Sequence, residues 1–183
     1  MMSNTILSQT PEITSDGRET VVVTGASGGI GAAIVTRLRN SGRRVFSTMR
    51  RPDPESHGPD VLAMDVTSDE SVAAAVSEVL NRTGRIDAIV NNAGLDLLGA
   101  FEEATTEQAL ALFDTNFFGV QRLCRAVLPA MRSRGCGRLV TIGSIAGFLP
   151  TPFEPFYCAS KHALEGYVES STTKSRRSAC ARC

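Results

Sequence analysis

Residues 19 to 42, "ETVVVTGASGGIGAAIVTRLRNSG", decide the fold. The opening "TVVVTG" is a short β-branched run closed by glycine, which reads as a buried strand. The closing "GGIGAAIVTRLRNSG" spaces apolar residues at helical period and stops at Gly42, a helix ending. Between them stand Gly25, Gly29 and Gly31, in the spacing G-x-x-x-G-x-G rather than G-x-G-x-x-G. Glycines between a strand and a helix start let backbone N–H groups approach a pyrophosphate at the positive end of the helix. Tight turns use the same residue, so it is the strand before and the amphipathic helix after that favour nucleotide binding.

The same alternation continues outward. "RRVFSTMR" and "DVLAMDV" read as strands. "SDESVAAAVSEVLNRTG" reads as a helix with Ser68 as cap and Glu70 in its first turn, and "IDAIVNNAG" as a further strand. A long helix is expected from about Thr105 to Arg132, then the strand "GRLVTIGS", then a helix from about Pro155. Strand and helix in alternation imply a doubly wound parallel α/β sheet covered on both faces, here with five strands.

The end of the second strand, in a nucleotide fold of this kind, meets the adenosine ribose. A carboxylate there would hold the two hydroxyls of NAD and repel a 2′-phosphate. This chain has Met49, Arg50 and Arg51 instead. Guanidinium groups pair well with phosphate, so NADP(H) is expected over NAD(H), with Asp53 keeping the alternative open.

The 183 residues are 42% hydrophobic, enough for one substantial core. Nineteen basic residues balance nineteen acidic ones, so no net field attracts nucleic acid or an anionic membrane, and neither is an expected partner. No apolar run approaches the ~20 residues of a membrane span. The polar start lacks the basic and apolar regions of a signal peptide, and the expected compartment is the cytoplasm. Five cysteines, at 124, 136, 158, 180 and 183, form no even framework, and the C-x-x-C of Cys180 and Cys183 has no second pair to complete a metal site.

Taken together, "TGASGGIG", "NNAG" at 91–94, Asn116 in "TNFFG", Ser144 in "IGSIAG" and "YCASK" at 157–161 resemble the short-chain dehydrogenases and reductases over about residues 19–167. The resemblance implies a Rossmann-type sheet of seven strands in the parent fold. It also implies a nicotinamide cofactor, and oxidation or reduction of an alcohol and carbonyl pair. It assigns Ser144 to the substrate oxygen, Tyr157 to acid/base work, Lys161 to the nicotinamide ribose and Asn116 to a proton-relay water. The cofactor positions it implies are Gly25, Ser27, Gly29, Ile30, Gly31, Arg50, Asp65, Asn92 and Gly94, together with Tyr157 and Lys161. Asp65 resembles an adenine-contacting acid, and a strand-end Asp capping the next turn is an equal reading.

The chemistry of the residues agrees. A free tyrosine has a pKa near ~10, and a neighbouring positive charge favours its phenolate. Tyr157 and Lys161, at i and i+4, share a helix face. Tyr157 would donate its proton in the reduction direction while a hydroxyl such as that of Ser144 stabilises the developing oxyanion. Asn91 and Asn92 are expected to bond backbone at the strand end, and His57 and His162 have no partner spacing. The apolar, proline-stiffened "GFLPTPFEPFY" between Ser144 and Tyr157 points to a hydrophobic ketone, aldehyde or secondary alcohol as substrate.

The ends set the domain expectation: a polar arm over 1–18, one dinucleotide-binding and catalytic domain over 19–170, and an aberrant disordered tail over 171–183. "STTKSRRSACARC" has no apolar period. With codons chosen at the wobble positions, one restored base before Ser171 turns it into Leu-Asp-His-Glu-Val-Ala-x-apolar-Gly-Val-Arg, with a helical apolar face, whereas the alternative is a natural short variant with a polar tail. A frameshift after Ser170 is therefore expected, with loss of the last two parent strands. Two readings stand: an NADP-dependent oxidoreductase, or a truncated inactive fragment that at most binds nucleotide. Parent family members form homodimers or homotetramers through helices that this reading cuts short, which leaves assembly open.

Overall fold

The computed structural model describes residues 17–52 and 58–175. Five strands form one sheet: β1 (Thr20–Val23), β2 (Arg44–Met49), β3 (Val61–Ala63), β4 (Ala88–Asn91) and β5 (Arg138–Thr141). Their order is β3-β2-β1-β4-β5 and every pairing is parallel, with Val22 level with Phe46 on one side and Ile89 on the other. This is the doubly wound, Rossmann-type sheet that the alternation predicts.

β1 is central because it is apolar on both faces, and all four of its residues are buried. Successive side chains alternate between faces. Val21 and Val23 pack with Val45, Ala88 and Val90 beneath Val35 of helix α1 (Gly29–Asn40). Val22, Phe46 and Ile89 face the other way. They meet Val72, Val76 and Val79 of α2 (Asp69–Thr83), Leu123 and Val127 of α4 (Gly119–Arg134) and Leu164 of α5 (Pro155–Ser175). Each such side chain contributes about 1.5–3 kcal/mol on full burial.

Caps end the helices where the sequence predicts. Ser68 Oγ accepts the Ser71 N–H at 3.2 Å, and Gly84 closes α2 at φ 68°. The expected helix from about Thr105 is real but interrupted. It begins as α3 (Thr106–Phe113) with a Thr105–Gln108 capping box, widens into a π-helical turn at Asp114–Phe118, and resumes as α4. Asn116 lies in that wider turn, a kind of bulge common at functional sites.

At the bottom of the sheet, Asp87 bolts three elements together. Its carboxylate accepts the Thr20 N–H at 2.8 Å, a paired contact from Arg85 at 2.6 and 2.7 Å, and Arg134 of α4 at 3.0 Å. Burial alone would raise its pKa, yet these partners hold it below the ordinary aspartate value.

β5 lies at one end of the strand order, beside β4 alone, with Leu139 37% and Val140 38% exposed. α5 continues to Ser175, past Ser170, so the first residues of the expected disordered tail are helical. The remaining tail with Cys180 and Cys183, residues 1–16 of the arm, Asp53 and His57 lie outside the described residues. Among the described residues, no helix is long and apolar enough to cross a membrane.

Candidate active site

β1 continues through α1 to β2 on one side, while β4 sits on its other side, so the carboxyl ends of β1 and β4 open a crevice. The glycine loop borders it, and its three glycines do different work. Gly25 takes φ 64°, and a Cβ there would lie 2.8 Å from Ala93 Cα. A Cβ on Gly31 would collide with Gly25 O and reach 2.6 Å from Asn92 Nδ2. These two glycines therefore also serve close packing of protein on protein, beside the cofactor role expected of them. Gly29, at φ 54° with nothing within 4 Å of a built Cβ, is the one that faces open space.

Ser27, Gly28 and Ile30 are exposed beside it. The cap of α1 is Gly28, which offers no side-chain acceptor, and the first turn carries no acid. The N–H groups of this helix start and its positive end are thus free for an anion.

Asn92 holds the loop in place. Its Nδ2 donates to Thr24 O at 2.9 Å and Gly25 O at 3.1 Å, while its N–H and that of Ala93 donate to Thr24 Oγ1 at 3.0 Å. Asn91 is buried and donates to Thr141 Oγ1 at 3.3 Å, tying β4 to β5. Gly94 is exposed on the crevice wall.

The crevice runs from Gly25 and Ser27 past Met49, Arg50, Asp65 and Thr67 to Asn92 and Leu95. Arg50 is exposed at the end of β2, and no described carboxylate follows it on that strand end. Asp65 Oδ1 accepts both the N–H (2.9 Å) and the hydroxyl (2.8 Å) of Thr67. These bonds, helped by Arg50 and Arg122, hold its pKa below the usual carboxylate value. It caps the turn and also lines the crevice.

Further along, the structure brings Asn116, Tyr157 and Lys161 together. Asn116 is 1% exposed; its Oδ1 accepts the Leu95 N–H at 2.7 Å, and its Nδ2 donates to Leu95 O at 2.9 Å and Ser160 Oγ at 3.2 Å. Ser160 Oγ donates in turn to Tyr157 O at 2.8 Å. Lys161 is buried, donates from Nζ to Ile142 O at 3.0 Å, and lies 5.7 Å from the centre of the Tyr157 ring. Burial pushes its ammonium below the ordinary lysine value, and Glu165 partly restores it.

Ser144 starts the 3₁₀ turn Ile145–Gly147, where its Oγ accepts the Ala146 N–H at 3.2 Å. That turn packs on α5: a Cβ on Gly147 would lie 3.2 Å from Lys161 O. Sequence reasoning missed Ser160 and Glu165. The first carries a readable signal, a hydroxyl three residues after Tyr157 where it can bond back along a helix.

Beyond Tyr157 the wall is apolar. Phe101 and Phe153, 76% and 64% exposed, face a groove that reaches Pro155 and Cys158. The Gly99 N–H donates to Phe153 O at 2.9 Å, which ties the two loops. Phe153 takes φ 63°, alone among the described non-glycine residues. Among the described residues no cluster of three or more His, Cys, Asp or Glu could hold a metal.

Known proteins resemble this chain in sequence and fold. The family model described as short chain dehydrogenase matches residues 19–178. A 3-ketodihydrosphingosine reductase of Bacteroides thetaiotaomicron is 41% identical over 82% of this chain and 56% of its own length. Human 17-beta-hydroxysteroid dehydrogenase type 1 is 37% identical over 84% of this chain and 51% of its own. The structure of actinorhodin polyketide ketoreductase with NADPH superposes at a TM-score of 0.83 with 34% identity, covering 90% of this chain and 67% of that one. The chain spans about half the length of the curated relatives it matches. With its glycine loop, its parallel sheet and this breadth of likeness, the chain belongs to the short-chain dehydrogenase family.

Proposed function

We propose that this chain carries the site of an NADP(H)-dependent oxidoreductase that interconverts an apolar secondary alcohol and its carbonyl compound, with Tyr157 as acid and base. The observation that carries the reading is the buried Lys161 ammonium 5.7 Å from the Tyr157 ring, on one helix face. A buried cation beside a tyrosine is costly unless used.

The residues fit a dinucleotide. The uncapped start of α1 and the open Gly29 suit the pyrophosphate, and Asp65 and Arg50 suit the adenosine end. Arg50, with no carboxylate in its place, favours a 2′-phosphate, and the related ketoreductase was solved with NADPH. Lys161 would hold the nicotinamide ribose. A bound nicotinamide supplies or takes the hydride.

In reduction, Tyr157 gives its hydroxyl proton to the carbonyl oxygen as that oxygen gains charge, and Ser144 donates a hydrogen bond to the same atom. Asn116 has its carboxamide committed to Leu95 and Ser160, so it acts by holding the π-helical turn and the backbone of Tyr157. Any relay water that Asn116 supports would meet its backbone there.

The substrate walls, residues 95–121 and 139–160, contain no Lys or Arg, and expose Phe101 and Phe153. They suit an apolar ketone without an anionic group, a class that the steroid and 3-ketodihydrosphingosine names of the relatives also fit. The test is consumption of NADPH and of NADH by the purified chain with a series of apolar ketones. NADPH-dependent turnover is expected; turnover that prefers NADH, or that needs a carboxylate-bearing substrate, refutes the reading. A second reading, nucleotide binding without turnover, is favoured by the single-neighbour position and exposure of β5.

A further inference from the structure

Glu165 lies one helical turn beyond Lys161 and two beyond Tyr157, on the same face of α5. The turn that carries Ser144 is flanked by two glycines, and both press on this one side chain. A Cβ on Gly143 would lie 2.5 Å from Glu165 Oε1, and a Cβ on Gly147 would lie 3.1 Å from Glu165 Cγ. Gly147 also lies against the backbone of Lys161. Any larger residue at either position would push the carboxylate out of the notch or lift the turn from the helix.

We infer that Glu165 is a positioning residue of the site. Its carboxylate, seated between Gly143 and Gly147, holds the Ser144 turn against α5 and sets its charge beside Lys161. The inference rests on the reading of Tyr157 and Lys161 as the acid–base pair, and it adds a carboxylate to that helix face.

The groups facing Lys161 support it. From α5 these are Tyr157 and Glu165, and the residue after β5 presents the Ile142 carbonyl, which does not titrate. Burial works against the ammonium, and Glu165 is the carboxylate that works for it. A glutamate that merely filled the notch would do so equally well as a glutamine.

The test needs no turnover, because the chain has only two lysines, Lys161 and Lys174, and the second serves as internal reference. Trace acetylation of the full native chain at mildly alkaline pH, read by mass spectrometry, gives the Lys161 to Lys174 ratio. Glu165→Gln keeps the shape and removes the charge, so Lys161 loses its proton more easily and the ratio rises about fivefold. Glu165→Asp keeps the charge and stays near the wild-type ratio. Gly143→Ala displaces the flexible carboxylate and raises the ratio in the wild-type chain, but adds nothing in the Glu165→Gln chain.

An unchanged ratio in Glu165→Gln overturns the inference, and so does an equal effect of Gly143→Ala in both backgrounds. If the ratios move as expected while the wild-type chain turns over no ketone, the coupling of Glu165 to Lys161 stands and the oxidoreductase reading falls.

Discussion

The two sides of the crevice are built on opposite plans. On the side of β1, β2 and α1 the site is made of backbone: an uncapped helix start, glycines pressed against the next turn, and Asn92 stitching strand to strand. On the side of β5 and α5 it is made of side chains, with Asn116, Ser160, Tyr157 and Lys161 linked in a buried chain of contacts. The charges divide the same way. Arg50 lines the crevice on the first side, whereas residues 95–121 and 139–160 of the second hold acids but no Lys or Arg. On the proposed function, a net charge of zero thus conceals a cofactor side that suits phosphate and a substrate side that suits a molecule without anionic groups.

The contrast is broken most severely from the side-chain half. Tyr157→Phe removes only the hydroxyl, and turnover should fall by about 10³-fold while NADPH affinity stays unchanged, as stopped-flow rates and fluorescence titration would show. Asp87→Asn strikes both halves from below. It takes the charge from a buried carboxylate shared by β1, Arg85 and Arg134, and should cost about 3–5 kcal/mol in chemical denaturation. The folded pKa of Asp87 is depressed, so its contribution is fully present above the unfolded value of about 3.9 and is lost as pH falls toward the folded value. Wild-type stability should therefore drop on acidification more steeply than that of Asp87→Asn.

Smaller effects sharpen the backbone half. Gly31→Ala forces a methyl against Gly25 O and Asn92 Nδ2, and should cost about 1–3 kcal/mol with loss of NADPH binding. Arg50→Ser should weaken NADPH by about tenfold and leave NADH unchanged in the same titration. Ser68→Ala, remote from both halves, should cost about 1 kcal/mol by removing the cap of α2, with no change in cofactor affinity.

The backbone half was largely legible in the sequence, because strand period, helix caps and glycines act through local rules. "TVVVTG" read as a buried strand, and Ser68 and Gly42 marked helix ends correctly. The division of labour among Gly25, Gly29 and Gly31 was not legible, since it depends on Ala93 and Asn92, more than sixty residues away. The side-chain half showed Tyr157 and Lys161 through their spacing taken together with the glycine loop and the family motifs. It hid the π-helical turn at Asn116, which arises from long-range bonds to Leu95 and Ser160 rather than from propensity. It also hid Glu165, whose partners are two glycines across a turn.

The most direct test follows a deuterium label from NADPH deuterated at the nicotinamide C4 into an apolar ketone. The wild-type chain should deliver the label to the carbinol carbon, while Tyr157→Phe should bind the labelled cofactor equally well and deliver almost none. Equal delivery by both chains would contradict the assignment of Tyr157, and no delivery by the wild type would contradict the proposed activity itself.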